Sequence, residues 1–206
     1  EEIDVLRTQE YTHEPLRAAS LNWILKRGMH LARLHLLDYN AITRDAVESL
    51  AIHGRLVRLE SVHLFCFAYI KGADLAEILS KCYRSLKHLD IRACGLYNDY
   101  QWVAYIKRCA KLETLAASGG ELAADLVGII QSCQKLRALE LNCCDDTVTD
   151  EVLESVAAHC PLLERICPDE CDELSDAGLR KVAQSCPLLR CVVLADTFIT
   201  DSSVVS

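Results

Sequence analysis

The chain has 206 residues, 51% of them apolar and 25% charged, with a formal net charge of −8. That balance is globular rather than disordered, and the acidity argues against a general nucleic-acid or anionic-membrane surface. No apolar run reaches the ~20 residues of a membrane span, and the opening EEIDVLRTQE lacks the apolar core of a secretory signal.

Residues 15–28, PLRAASLNWILKRG, read as a helix with Leu16, Leu21, Trp23 and Leu25 available for packing. Residues 1–30 are therefore expected to form a helical cap or a degenerate repeat, its tryptophan covering the end of a core. From Leu31 onward one pattern recurs. A Leu-x-x-Leu-x-Leu segment, with substitutions, starts at Leu31, Leu59, Leu86, Leu112, Leu136, Leu163 and Leu189, at intervals of 28, 27, 26, 24, 27 and 26 residues. Each start is followed by a polar link and then by apolar residues at helical spacing, such as Leu153/Val156/Ala157/Cys160 and Leu179/Val182/Ala183/Cys186. Pro161 and Pro187 follow Cys160 and Cys186 and stop those helices. An acid sits at each helix start, from Asp45 through Asp201, where it is expected to accept orphan backbone N–H groups.

A strand, a loop and a helix in under thirty residues cannot bury an apolar side alone, so the units must stack. The segment 136–160, LRALELNCCDDTVTDEVLESVAAHC, is the clearest copy. The fourth copy replaces the strand end with Ala116-Ala117-Ser118-Gly119-Gly120, and the sixth places Pro168 at an inward strand position. Locally weaker strands are expected at both. Thr200-Asp201 begins a helix that stops at once, so either the array is expected to continue or another chain caps it.

Eight of the twelve cysteines fall in repeat columns. Cys82, Cys109, Cys133, Cys160 and Cys186 close helices, and Cys94, Cys144 and Cys171 follow strands. Thiols repeating down a stack read as small buried packing residues rather than a disulfide framework. That implies a reducing compartment, cytoplasm or nucleus.

These residues resemble the cysteine-containing leucine-rich repeats common in F-box adaptor proteins. The match is carried by Leu136/Leu139/Leu141, Cys144, Thr149-Asp150, Leu153 and Cys160-Pro161, and again by Leu163, Cys171, Ser175-Asp176, Leu179 and Cys186-Pro187. The resemblance implies an α/β solenoid, a horseshoe with a parallel concave sheet of about seven strands and outer helices over residues 31–206. It also implies a non-catalytic recognition module, most like the substrate-binding part of a ubiquitin-ligase adaptor. The segment AASLNWILKRG is loosely similar to leucine-rich-repeat assembly factors of mitochondrial complexes, which makes a structural or assembly subunit the alternative. A leucine-rich-repeat regulator of a GTPase is a third.

No motif for phosphate cradling, dinucleotide binding or metalloprotease chemistry is present, and no cofactor is expected. The useful surface of such an array is its concave face. If the leucines point inward, alternate residues point out. The candidate partner-binding residues are then Arg33, His35, His63, Phe65, His88, Arg92, Ser118, Glu140, Asn142, Arg165, Asp169 and Asp196. They suggest a groove with basic and aromatic residues at its N-terminal half, a shallow notch at Ser118-Gly119, and acids at its C-terminal half. That groove would suit a protein segment of opposite polarity. His35, His63 and His88 could in principle converge on a zinc ion, but their positions after the leucine drift, so no metal site is expected. The loop acids Asp145-Asp146 and Asp169-Glu170-x-Asp172-Glu173 lack calcium-loop spacing and read as solvated charge or a patch for a basic partner.

Overall fold

A computed structural model describes residues 2–7, 30–36, 44–53, 55–65, 70–96, 99–118, 125–142 and 148–200. Eight parallel strands form one sheet in sequence order: β1 Glu2–Arg7, β2 His30–Leu36, β3 Ser61–His63, β4 His88–Asp90, β5 Thr114–Ser118, β6 Ala138–Asn142, β7 Arg165–Asp169 and β8 Cys191–Val192. Among the described residues the helices are α1 Arg44–His53, α2 Gly72–Cys82, α3 Val103–Ile106, α4 Leu126–Ser132, α5 Asp150–His159 and α6 Asp176–Ser185. This is an α/β leucine-rich-repeat solenoid. Strands stack at ~4.8 Å and helices need ~10 Å, so the array curves with its sheet on the inner side.

The repeat columns are the register itself. Leu34, Val62, Leu89, Leu115, Leu139, Ile166 and Val192 are paired across successive strands. The six leucine starts from Leu31 to Leu163 are fully buried. β1 adds a strand that the leucine pattern did not announce, pairing along the free edge of β2. The helix expected over residues 15–28 lies outside the described residues, as do Gly119, Cys144 and the acids Asp145-Asp146.

Two expectations change. The strands of the fourth and sixth copies are not short: β5 and β7 have five residues each, against three in β3 and β4. Ala116 and Ala117 cost β5 no backbone pairing, and β5 meets β6 over its whole length. Pro168 does remove a donor, but on the other side. Around it the carbonyl of Ile166 accepts from Val193, and Glu170 N–H donates to Ala195. Residues 166, 168 and 170 therefore address β8, and the loss falls there: β8 is two residues long, while β7 keeps all five pairs with β6.

The acidic column also works differently from a row of simple helix caps. Asp125 and Asp74 do cap their own helices, Asp125 accepting from Gly128 N–H at 2.9 Å and Asp74 from Lys71 N–H at 3.1 Å. Asp150 and Asp176 instead are first residues of their helices and reach into the next repeat. Asp150 accepts from Ser175 N–H at 2.9 Å and from its hydroxyl; Asp176 takes Thr200 N–H at 2.8 Å and its hydroxyl. Asp99 reaches the other way, to Gly72 N–H at 2.8 Å. These carboxylates are repeat-to-repeat clamps. Gly72 and Gly178 make room for two of them: a Cβ there would sit 2.3 Å from Asp99 Cγ or 2.4 Å from Asp150 Oδ1.

The nine described cysteines are free thiols, eight of them buried. Burial pushes the thiols of Cys82, Cys133 and Cys160 up to about 12, and those of Cys109 and Cys186 up as well. Cys82, Cys109, Cys133 and Cys186 donate weakly to backbone carbonyls. They are protonated packing residues. Cys94 and Cys171 fill the corner after the strand, each preceded by a left-handed residue, Ala93 (φ 56°) and Glu170 (φ 51°). Asp196 (φ 48°) occupies the same repeat position.

Candidate functional site on the concave sheet

The outward residues form three rows across the strands. The first runs Arg33, Ser61, His88, Thr114, Ala138, Arg165, Cys191. The second runs His35, His63, Asp90, Ala116, Glu140, Cys167. The third includes the paired Ser118, Asn142 and Asp169. The candidates on this face are thus Arg33, His35, His63, His88, Ser118, Glu140, Asn142, Arg165 and Asp169. Phe65 and Arg92 lie just beyond the ends of β3 and β4, in turns. Asp196 is not on the sheet: it sits four residues beyond the end of β8 in an exposed left-handed bend, because β8 stops at Val192.

The centre of the face is a belt of four charges. Arg92 Nε and Nη2 donate to Asp90 Oδ1 and Oδ2 at 3.0 and 2.7 Å. Its Nη1 crosses the strand of Ala116 to Glu140 Oε2 at 3.1 Å, and Arg165 Nε donates to Glu140 Oε1 at 3.1 Å. The side chain of Ala116 is small enough to let Arg92 pass from β4 to β6. The Arg92 guanidinium carbon also lies 5.4 Å from the centroid of the Phe65 ring, a cation–π contact. The hydrogen bond to Asp90 raises the pKa of Arg92 further, so this group stays charged. A guanidinium held by two carboxylates and covered by an aromatic ring is pre-organised rather than mobile.

On the N-terminal side, His35 and His63 stack with centroids 4.1 Å apart at 40°. Ser61 Oγ lies 2.7 Å from His35 Nε2, and Thr114 Oγ1 lies 3.1 Å from His88 Nδ1. Burial lowers the pKa of His63, opposed chiefly by Asp90, whose Oδ2 is 3.9 Å away. His63 is a neutral ring at neutral pH. His88 lies one row away from the stacked pair, and the described residues hold no cluster of metal-ligating groups. On the C-terminal side Asn142 Nδ2 donates to Asp169 Oδ2 at 3.1 Å, and Ser118 Oγ accepts from Ala93 N–H at 3.1 Å.

The sequence-level picture of a groove split into basic and acidic halves is therefore revised at its centre. Arg92 and Arg165 are spent on Asp90 and Glu140. Uncompensated acidity remains at the C-terminal rim, where Glu170, Asp172, Glu173 and Asp196 are exposed. The residue the candidate set missed is Asp90: it stands in the outward row yet is 4% exposed, because Arg92 covers it. The signal was an Asp two residues before an Arg, which lets one guanidinium fold back onto the carboxylate.

No family model matches the chain. Among solved structures it is similar to the leucine-rich-repeat-containing protein LegL7 from Legionella pneumophila, at 14% identity and a TM-score of 0.43, over 81% of this chain and 57% of that one. It is also similar to an internalin (inlF) from Listeria monocytogenes, at 14% identity and a TM-score of 0.45, over 91% of this chain and 58% of that one. The chain spans under three-fifths of the length of either.

Proposed function

We propose that the chain is a non-catalytic protein-recognition module that binds a partner polypeptide on its concave sheet, between β2 and β7. The observation that carries this is the belt Asp90–Arg92–Glu140–Arg165 with Phe65 laid over Arg92. Aromatic and arginine side chains fixed in advance on a wide curved sheet are what protein-binding hot spots are built from. The buried thiols are pushed up in pKa and so are poor nucleophiles, which favours recognition over covalent chemistry. Within this class, the cysteine columns at Cys82 through Cys186 and the Cys94 and Cys171 corners favour the substrate-binding part of an F-box ubiquitin-ligase adaptor acting in the cytoplasm or nucleus.

The test is site-specific photocrosslinking in cells. A photoreactive residue at Phe65 should capture one discrete partner, and the same residue at Glu154 on α5 should not. Equal capture from both positions would contradict concave-face binding. Recovery of cullin-ligase components with the Phe65 adduct would support the adaptor reading, and their consistent absence would oppose it.

A further inference from the structure

Because every strand is parallel, the loops running from each outer helix to the next strand all lie along one edge of the solenoid. Four of these loops, residues 55–60, 83–87, 108–113 and 134–137, hold eight Lys or Arg against two Glu. The whole chain carries −8. Two of the eight cations are used within the edge: Lys87 pairs with Glu60 at 2.8 Å, and Arg137 pairs with Glu113 and Glu164. The other six, Arg55, Arg58, Arg84, Arg108, Lys111 and Lys135, are exposed and have no carboxylate partner among the described residues.

Helix C-termini favour nearby cations, so the fold could demand such residues in every repeat. It does not. The equivalent loops after α5 and α6 are Cys160-Pro161-Leu162 and Cys186-Pro187-Leu188, with no cation before the strand leucine. Among the described loops the basic edge is thus confined to these four and is not a by-product of the repeat. It also has an anchor. Tyr83, packed against the core, gathers the guanidiniums of Arg84 and Arg108 from two adjacent loops, at 5.4 and 4.3 Å from its ring centroid. Val57, exposed on the first of the loops, adds an apolar point.

We propose that this edge is a second interaction surface, separate from the concave sheet, and that it docks an acidic polypeptide segment rich in Asp and Glu. A dense polyanion is disfavoured by the net negative charge of the whole chain. A short carboxylate-bearing segment senses mainly the local cations, because salt screens charges beyond ~8 Å at physiological ionic strength. The cations come one or two to a loop with Tyr83 and Val57 between them. That pattern matches acidic and apolar side chains alternating along a peptide better than an unbroken row of phosphates.

The experiment is fluorescence anisotropy with three probes: a labelled Glu-rich peptide with interspersed Leu, single-stranded DNA of matched charge, and phosphatidylserine vesicles. The peptide should bind and should weaken as salt rises. The double variant Arg84→Glu/Arg108→Glu should lose about tenfold or more in affinity, with an unchanged circular dichroism spectrum, while Phe65→Ala binds like the native chain. If the first double variant does not fold, Lys111→Glu/Lys135→Glu carries the same expectation. Absence of peptide binding, or binding indifferent to these charge reversals, overturns the proposal. So does tighter, charge-dependent binding of DNA or of vesicles.

Discussion

Arg92→Ala is the sharpest perturbation of the concave face. It deletes two contacts to Asp90, at 3.0 and 2.7 Å, and one to Glu140 at 3.1 Å. Asp90 is 4% exposed and would keep, among the described residues, a backbone N–H of residue 92 at 3.2 Å and a His63 nitrogen at 3.9 Å. Hydrogen bonds to charged groups are each worth about 1.5–3 kcal/mol when buried, and Arg92 is partly solvated, so a total loss of roughly 2–4 kcal/mol is expected. Much of that is the cost of stranding Asp90. The double variant Arg92→Ala/Asp90→Ala should therefore be far less unstable than the sum of the singles, with a coupling of about 1–3 kcal/mol. Equilibrium urea unfolding of the four proteins measures it. A loss under about 0.5 kcal/mol for Arg92→Ala, or additivity in the cycle, would refute the belt as a coupled unit.

Four further outcomes follow from the same geometry. The thiols of Cys82, Cys133 and Cys160, pushed up to about 12 by burial, should resist alkylation in the native protein at mildly alkaline pH and react in urea, as read by peptide mass mapping. His63 has a folded pKa below the ordinary imidazole value of 6.5, so the unfolded chain takes up the proton first. Stability is full above that value and is lost as pH falls through it, and His63→Gln should flatten this slope in urea midpoints measured from about pH 8 to pH 5. Asp150→Ala removes two hydrogen bonds to Ser175 of the next repeat and should cost about 1–2 kcal/mol. Gly178→Ala, whose Cβ would sit 2.4 Å from Asp150 Oδ1 and 2.9 Å from Leu153 Cδ1, should destabilise in the same assay and lose part of that effect in the Asp150→Ala background, where only the movable Leu153 methyl is still crowded.

The leucine columns were legible because their spacing is a direct image of the strand register: Leu89, Leu115 and Leu139 pair across the sheet as their repeat positions say. The outward rows followed from alternation alone. What alternation could not show is where a long side chain goes once it leaves the sheet. Arg92 belongs to β4's turn but acts on β6, and that depends on the small Ala116 between them. Asp150 looks like a helix cap in sequence, yet its carboxylate serves the following repeat, because the stacking distance brings Ser175 within reach. Strand ends were hidden as well: Pro168 affects β8 rather than β7, since parallel pairing sends alternate residues to opposite neighbours. One column was readable and missed. From Leu59 onward the residue after each strand leucine runs Glu60, Lys87, Glu113, Arg137, Glu164, Arg190, alternating in sign. The structure joins neighbours in this row as ion pairs along the solenoid edge, Glu60 to Lys87, Glu113 to Arg137, Arg137 to Glu164 and Glu164 to Arg190, while Lys87 and Glu113 are not joined to each other.

The concave sheet is proposed to hold its partner through the Phe65–Arg92–Glu140 cluster. The most direct test is the affinity of the partner captured at Phe65, measured by calorimetry against the native chain, Phe65→Ala, Glu140→Ala and Lys181→Ala on outer helix α6. Both concave variants should weaken binding about tenfold or more, and the helix variant should not change it. Equal affinities for all four, or a loss confined to Lys181→Ala, would contradict the account.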